Sequence, residues 1–214
     1  MFEFLLNPAL IVVMTLNFVA LAMSRIRGVI NVVALQGLLL GIFPLVLNPE
    51  IRFRNILLVI ATVALKGFVI PGFLVHAMRE ANIQHEIKPV VNFMSSLLLG
   101  AIGTGLAMVF AYTLPLAKEH AELLIVPASL ATVWTGFLML TTRKKAIMLV
   151  LGYLILENGI FLFGLLLLEA MPFLVEAGVL LDLFTGVFVM GIIIHQINRE
   201  FASTSTEHLS ELKE

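Results

Sequence analysis

The sequence predicts an all-α, polytopic membrane protein with about seven transmembrane helices. Of its 214 residues, 60% are hydrophobic and only 13% are charged, and the mean hydropathy is +1.07. Soluble domains are about half apolar and a quarter charged. The apolar runs continue for about 20 residues, which is the length of a membrane-spanning helix. They lack the alternation of a membrane barrel strand, so helices are the predicted spanning element.

Charged residues, proline and asparagine divide the chain into seven apolar segments with short connections. The first segment is predicted to remain as a helix, because the N-terminus lacks the basic region and cleavage site of a signal peptide. Pro71 is predicted to kink the third segment, since proline cannot donate a backbone hydrogen bond. The segments are 7–23, 28–47, 54–77, 90–116, 122–141, 146–168 and 174–198.

The distribution of Lys and Arg predicts that the N-terminus lies outside and the C-terminus inside the membrane. This orientation places nine basic residues on the cytoplasmic side and three on the outside, and it requires an odd number of helices. The cytoplasmic residues are Arg25, Arg27, Arg79, Lys88, Arg143, Lys144, Lys145, Arg199 and Lys213, and the outside residues are Arg52, Arg54 and Lys118.

Several function classes are excluded or disfavoured by composition. The chain has no cysteine, which excludes thiol catalysis, disulfides and thiolate-bound zinc or iron–sulfur clusters, so any redox centre is expected in a partner. The net charge of −1 argues against a nucleic-acid partner. His76 and His195 lie near cytoplasmic helix ends without a carboxylate at ligand spacing, so no metal site is expected. They are either ordinary interfacial histidines or secondary proton-relay residues.

Three ionisable residues lie at helix-centre depth in the predicted spans: Lys66, Glu157 and Asp182. Burying a charge there costs about 2.5 to 3.5 kcal/mol, so such residues normally face a bundle interior or a wet cavity. At about 1.5 Å per residue, Lys66 lies roughly 18 Å and Glu157 roughly 16 Å from the start of their helices. Asp182 lies about 12 Å from the outer end of the last helix. All three could belong to one polar layer.

These residues form a candidate proton relay with Glu157 as its central carboxyl. The alternative is a structural carboxyl, protonated in lipid or paired with Lys66, that fixes helix packing. Asp182 is the second acid, and Gly178 and Gly186 lie one turn away on the same face, which leaves room for water or a close neighbour. Lys66 is a pairing or relay cation, or a lysine that extends its ammonium group away from the kink.

A row of small residues in the fourth segment is predicted to mediate helix packing. Ser96, Gly100, Gly103 and Ala107 recur at helical spacing, which lets a neighbouring backbone approach closely. The run from Gly100 to Gly105 is not a phosphate loop, because it follows no strand and opens no soluble helix.

Three stretches in the C-terminal part carry a family resemblance. They are a basic loop, Thr142-Arg-Lys-Lys145, and two acid-bearing stretches, Leu151-Gly-Tyr-Leu-Ile-Leu-Glu-Asn-Gly159 and Val179-Leu-Leu-Asp-Leu-Phe-Thr-Gly186. From about residue 130 to 201 the chain therefore resembles subunit K of respiratory complex I and its relative, the C component of multisubunit cation/proton antiporters. The first acid, Glu157, lies one turn from the usual family position, which is Leu154 here, and the second is Asp instead of Glu.

The resemblance extends over essentially the whole chain. Four helices ahead of this triplet, together with Ala64-Leu-Lys-Gly-Phe-Val-Ile-Pro-Gly-Phe-Leu74 and the Glu-Asn-Gly motif, resemble component E of hydrogenase-4-type, formate-hydrogenlyase-like complexes. This implies a four-helix region at 1–120, a subunit-K-like region at 121–201 and a polar tail at 202–214. It also implies a prokaryotic inner-membrane subunit that is not itself an enzyme. Its partners would be antiporter-like membrane subunits and peripheral hydrogenase subunits that hold the nickel–iron centre and the iron–sulfur clusters.

The function implied by this resemblance is proton translocation or coupling in a group 4 nickel–iron hydrogenase complex. One alternative is a subunit of a cation/proton antiporter without redox partners. Another is a structural scaffold with no ion path of its own. A stand-alone solute carrier fits less well, because the sequence shows no inverted repeat and no paired broken helices.

Overall fold

The protein is all-α in the ranges that its computed structural model describes. These ranges are helical apart from short connections and contain no β-strand. The all-α class predicted from the apolar runs is therefore confirmed for these residues. The described residues are 3–47, 53–80, 90–114 and 124–167, with Leu181, Phe184, Gly186, Val187 and Gly191 of the last segment.

Six of the seven predicted segments correspond to observed helices, one of which is interrupted. A π-helical turn, Leu65–Val69, joins the third and fourth helices, and a 3-10 turn, Leu165–Leu167, follows the seventh. The α-helices are α1 Glu3–Ala22, α2 Ile26–Leu47, α3 Phe53–Ala64, α4 Ile70–Glu80, α5 Phe93–Thr113, α6 Ile125–Thr142 and α7 Ala146–Gly164.

Five stretches of the described residues are long and apolar enough to cross a membrane. The first helix adds a shorter apolar stretch, Leu6–Ala22. The predicted seventh segment, 174–198, lies almost entirely outside the described residues. The five stretches are Ile26–Pro44, Val59–Arg79, Phe93–Thr113, Ile125–Thr142 and Ala146–Gly164.

A π turn interrupts the helix formed by α3 and α4, close to the kink predicted at Pro71. The N–H of Ile70 donates to the carbonyl of Leu65, five residues back. Pro71 follows directly and has no N–H to donate to the turn before it. Such turns are frequently found at functional sites. Here the turn contains a buried Lys66.

Two apolar clusters fill the bundle, one towards each end. We call the end that carries the α1–α2 and α6–α7 connections the turn end. The guanidinium of Arg143 ties the α6–α7 connection to the last turn of α1 there, because its Nη2 donates to the carbonyl of Leu21 at 2.9 Å. The turn-end cluster includes Leu21, Ile26, Leu74, Met148 and Leu151. The far-end cluster consists of Leu6, Leu10, Val13, Leu40, Phe43, Ile125, Ala128, Leu162 and Leu165.

Glycines bring α6 and α7 into backbone contact. A Cβ atom added at Gly136 would lie 2.6 Å from the backbone nitrogen of Leu156, and one added at Gly159 would lie 2.6 Å from that of Val133. Such distances are too short for any side chain. Close approach through small residues is how membrane helices gain packing energy without a hydrophobic driving force.

The small residues of α5 lie at helix contacts as well. Ser96, Gly100, Gly103 and Ala107 are its buried residues. A Cβ atom at Gly100 would meet Leu21 of α1 at 2.6 Å, and one at Gly103 would overlap the indole of Trp134 in α6. The row therefore faces α1 and α6.

Asn7 of α1 caps the beginning of α6. The N–H of Leu124 donates to Asn7 Oδ1 at 3.0 Å, and Leu124 is the residue before the first turn of α6.

We expect Asn7→Ala to lower the free energy of unfolding in mixed micelles by about 1 kcal/mol, because a free N–H at a helix start costs that much. Asn7→Asp keeps the acceptor oxygen and is the matched control. An alanine variant as stable as the aspartate variant would contradict the cap.

A candidate polar site between the helices

Lys66 lies in the bundle interior beside two polar residues of α7. Its Nζ atom lies 3.9 Å from Glu157 Oε1 and donates to Asn158 Oδ1 at 3.1 Å. The three side chains are buried, with 6%, 3% and 2% of their surfaces exposed. The centre of the Phe161 ring lies 5.1 Å from the same Nζ atom. The structure thus brings together two of the three ionisable residues that the sequence places at mid-depth.

The local sequence explains how the two helices present these groups. Gly159 packs on α6, so Glu157 and Asn158 point away from α6 and towards α2 and the π turn. On the other side, a Cβ atom at Gly37 of α2 would lie 2.7 Å from Lys66 Cβ. The absence of that Cβ lets α2 lie directly against the π turn.

A chain of uncharged polar side chains continues from Lys66 across the bundle. Asn158 Nδ2 donates to Gln36 Oε1 at 3.3 Å, and Gln36 Nε2 donates to Asn17 Oδ1 at 2.9 Å. Asn17 Nδ2 donates to Thr132 Oγ1 at 2.8 Å. The Thr132 hydroxyl donates in turn to the carbonyl of Ala128 at 2.7 Å. We call Asn158, Gln36, Asn17 and Thr132 the amide chain.

All bonds of the amide chain run in one direction. Lysine has only donors, so the amide facing it must present its oxygen. The nitrogen of Asn158 then faces Gln36, and each later group is oriented by the one before it. The oxygen ends of the three amide dipoles therefore point towards the ammonium group of Lys66, which stabilises its positive charge.

The amide chain is not evident from the sequence, because Asn17, Gln36 and Thr132 are neutral and do not stand out in apolar helices as ionisable residues do. The available signal was the presence of amides in two largely apolar helices, Asn7 and Asn17 in α1 and Asn31 and Gln36 in α2, since buried amides in membrane helices usually bond across to a neighbour. Nothing in one sequence states which neighbour that is.

A small cavity lies beside Lys66 on the turn-end side. Its volume, measured as the space open to the centre of a water molecule, is about 10 Å³, close to what one water requires. Lys66, Asn158 and Pro71 contribute to its wall. The apolar lining is Ile30 and Val33 of α2, Ile70 and Leu74 of α4, and Leu151 and Leu154 of α7.

The remaining predicted site residues are spread over the chain. Asp182, Gly178 and His195 lie outside the described residues. Gly186 is described, and a Cβ atom placed there would lie 3.9 Å from Ile70 Cγ1. His76 is exposed on α4. In the described ranges no three His, Asp or Glu side chains are grouped to hold a metal.

Arg143, in the basic loop that the sequence places on the cytoplasmic side, is buried in the α6–α7 connection. Only 3% of its surface is accessible, whereas Lys144 is exposed. Its guanidinium lies 5.0 Å from the ring centre of Phe93, in addition to its bond with the Leu21 carbonyl. Burial lowers the pKa of the Arg143 guanidinium from its ordinary value. The residue acts as a tie between α1, α5 and the connection.

Comparison with known proteins gives one informative relationship. No family model matches the chain, and no solved structure matches it. A protein of Mycobacterium tuberculosis, named Uncharacterized protein Rv0085, is 34% identical over 194 residues. The similarity covers 88% of this chain and 87% of the relative. With this identity over nearly the full length of both proteins, the chain belongs to the same family as the Mycobacterium tuberculosis protein.

Proposed function

We propose that the protein is a non-redox membrane subunit that carries or couples protons in a hydrogenase-4-like complex. The observation that carries the proposal is the 3.9 Å distance between Lys66 Nζ and Glu157 Oε1. The two atoms lie inside a bundle whose helices are long enough to cross a membrane. Buried ionisable groups are costly in such helices and mark ion pathways or charge pairs.

In this proposal Glu157 is the central proton acceptor and Lys66 is the cation that pairs with it. A carboxylate takes up a proton on one oxygen to form a neutral acid and then releases it again, and the ammonium group of Lys66 balances the negative charge of the deprotonated form. A water molecule in the adjacent cavity would hydrogen-bond to Lys66 or Asn158. Asp182 is the second acid of the proposed path.

The topology and the partners follow from the same proposal. The chain would cross the prokaryotic inner membrane seven times, with the N-terminus outside and the C-terminus in the cytoplasm. Antiporter-like subunits would lie beside it. The nickel–iron centre and iron–sulfur clusters would reside in peripheral subunits, whose redox changes would alter proton affinity along the path. The support is the motif around Glu157 and the likeness of the whole chain to component E.

The partner part of the proposal is tested by isolating the tagged protein from its native membrane in mild detergent. Mass spectrometry of the co-purifying chains should find nickel–iron hydrogenase and antiporter-like subunits. Recovery with cation-antiporter subunits alone, together with sodium-dependent transport, would favour the antiporter alternative. Recovery without partners would contradict the hydrogenase assignment.

The relay part is tested by Glu157→Gln in the isolated complex. The amide keeps the size of the side chain but cannot take up a proton at physiological pH. Proton movement coupled to turnover should fall strongly, while electron transfer to an artificial acceptor should stay close to wild type. Coupled proton movement equal to wild type would refute the relay role of Glu157.

A structural role is the second candidate, and the amide chain favours it. Buried polar networks of this kind also lock helices in one register. A purely structural pair predicts that Glu157→Gln lowers complex assembly and every activity in the same proportion. Proton movement divided by electron transfer separates the two cases, because only a relay role lowers this ratio.

A further inference from the structure

We infer that, within the part of the bundle that the structure describes, water and protons reach the Lys66–Glu157 pair from the turn end and not from the far end. The inference rests on the proposed function and adds to it the route by which the pair is reached. Three features of the surroundings carry it: the amide chain on one side, an aromatic and aliphatic plug towards the far end, and the cavity towards the turn end.

The amide chain closes the side that faces α1 and α6. An amide offers its oxygen as an acceptor and its nitrogen only as a donor. A proton received on the oxygen of Asn158 cannot be passed on from the nitrogen without forming a high-energy tautomer. Gln36 and Asn17 repeat the same obstacle. The chain therefore holds the charge of Lys66 in place and does not conduct protons away from it.

Towards the far end, the described side chains around the pair are apolar. Phe161 lies one turn beyond Glu157 in that direction, and the centre of its ring lies 5.1 Å from Lys66 Nζ. Behind it are the side chains of the far-end cluster, against which Phe161 packs. Leu40 and Leu162 of this cluster are completely buried. A proton has no acceptor among these groups.

The turn-end side is different because it contains the cavity. Along the chain, the apolar lining residues come before Gln36 in α2 and before Glu157 in α7, and they come after Lys66 in α4. Because α2 and α7 begin at the turn end and α4 ends there, these residues lie between the pair and the turn end. Examples are Val33, Leu74 and Leu151. One water bonded to Lys66 or Asn158 has space there. Pro71 cannot donate a backbone hydrogen bond to the turn before it, so a carbonyl of that turn can accept one from such a water.

Single cysteines test this route directly, since the natural chain has no cysteine. Leu151→Cys and Leu162→Cys are a matched pair on α7. Both leucines are completely buried and lie at similar distances on opposite sides of Glu157. Silver ion is added to sealed native-membrane vesicles, and its binding is measured as the loss of later labelling with a fluorescent maleimide after denaturation. Lys144→Cys, at an exposed position of the turn end, identifies the side on which the silver acts.

The expected result is protection of Leu151→Cys by silver from the side at which Lys144→Cys reacts. Silver should block the labelling of Leu151→Cys at least about tenfold faster than that of Leu162→Cys. The reason is that the reacting thiolate forms only where water reaches the thiol. Val33→Cys and Leu40→Cys repeat the comparison on α2 and cover the case in which an α7 variant does not fold. Equal rates within both pairs, faster reaction at the far-end positions, or no reaction at Leu151 and Val33 would overturn the inference.

The two proposals fail in different experiments. If Glu157→Gln leaves proton movement unchanged, Glu157 is not a relay residue. The silver pattern still reports from which side water reaches the pair. If the silver pattern is symmetric while Glu157→Gln abolishes proton movement, the relay stands and the one-sided route is wrong.

Discussion

Replacing Lys66 with methionine is expected to lower the free energy of unfolding by about 3 to 5 kcal/mol, because it leaves a buried carboxylate without its cation. Methionine has nearly the same length as the lysine stem, so packing against Gly37 is kept. The loss of the hydrogen bond to Asn158 is included in this cost. The measurement is reversible unfolding of the purified protein in mixed micelles.

The double variant Lys66→Met with Glu157→Gln shows whether the effect belongs to the pair. Removing both charges should restore most of the lost stability, since neither group is then a lone buried ion. Two residues in contact give non-additive effects, and their coupling energy measures the pair. If the double variant is as unstable as the sum of the two single variants, the 3.9 Å distance has no energetic meaning.

Gly136→Ala is expected to destabilise the protein by about 1 to 3 kcal/mol, the range for overpacking a tight contact. The new methyl group would lie 2.6 Å from the nitrogen and 2.7 Å from the Cα of Leu156. These are backbone atoms, so α6 and α7 must separate, which would also move Glu157. Unfolding in mixed micelles measures the stability, and crosslinking of cysteines introduced in α6 and α7 measures the separation.

The control for this substitution is Gly105→Ala in α5. Apart from its chain neighbours and the backbone of α5 itself, no atom lies within 4 Å of a Cβ added there, and alanine is the better helix former by about 0.5 to 1 kcal/mol. The control should therefore be as stable as the wild type or slightly more stable. A Gly136→Ala variant that matches this control would show that the α6–α7 contact is looser than the structure indicates.

The positions of the helices could be predicted because each is an apolar run ended by charged residues or proline. Six predicted segments agree with observed helices to within a few residues, except that the third contains a π turn. That turn could not be predicted in detail. Pro71 signals a disturbed helix, but whether the helix bends or widens depends on the contact with Gly37, which belongs to another helix.

The candidate site was predictable in depth but not in its lateral arrangement. Counting residues along each helix places Lys66 and Glu157 at similar depth, and the structure joins them. The same counting gives no rotation about the helix axis relative to a neighbour. It therefore could not show that Asn17 and Gln36 lie between the pair and Thr132, or that Arg143 is drawn under α1.

The single direction of the amide chain also constrains how the site can change. A negatively charged residue at position 66 would need a donor where Asn158 now presents its oxygen. Asn158, Gln36 and Asn17 would each have to rotate by half a turn, all together, and Thr132 would then have to donate its hydroxyl to Asn17 in place of Ala128. The orientations of side chains as distant as Thr132 therefore depend on the sign of the charge at position 66. A substitution at Gln36 or Asn17 succeeds or fails according to which end of the amide it preserves, and size alone does not decide it.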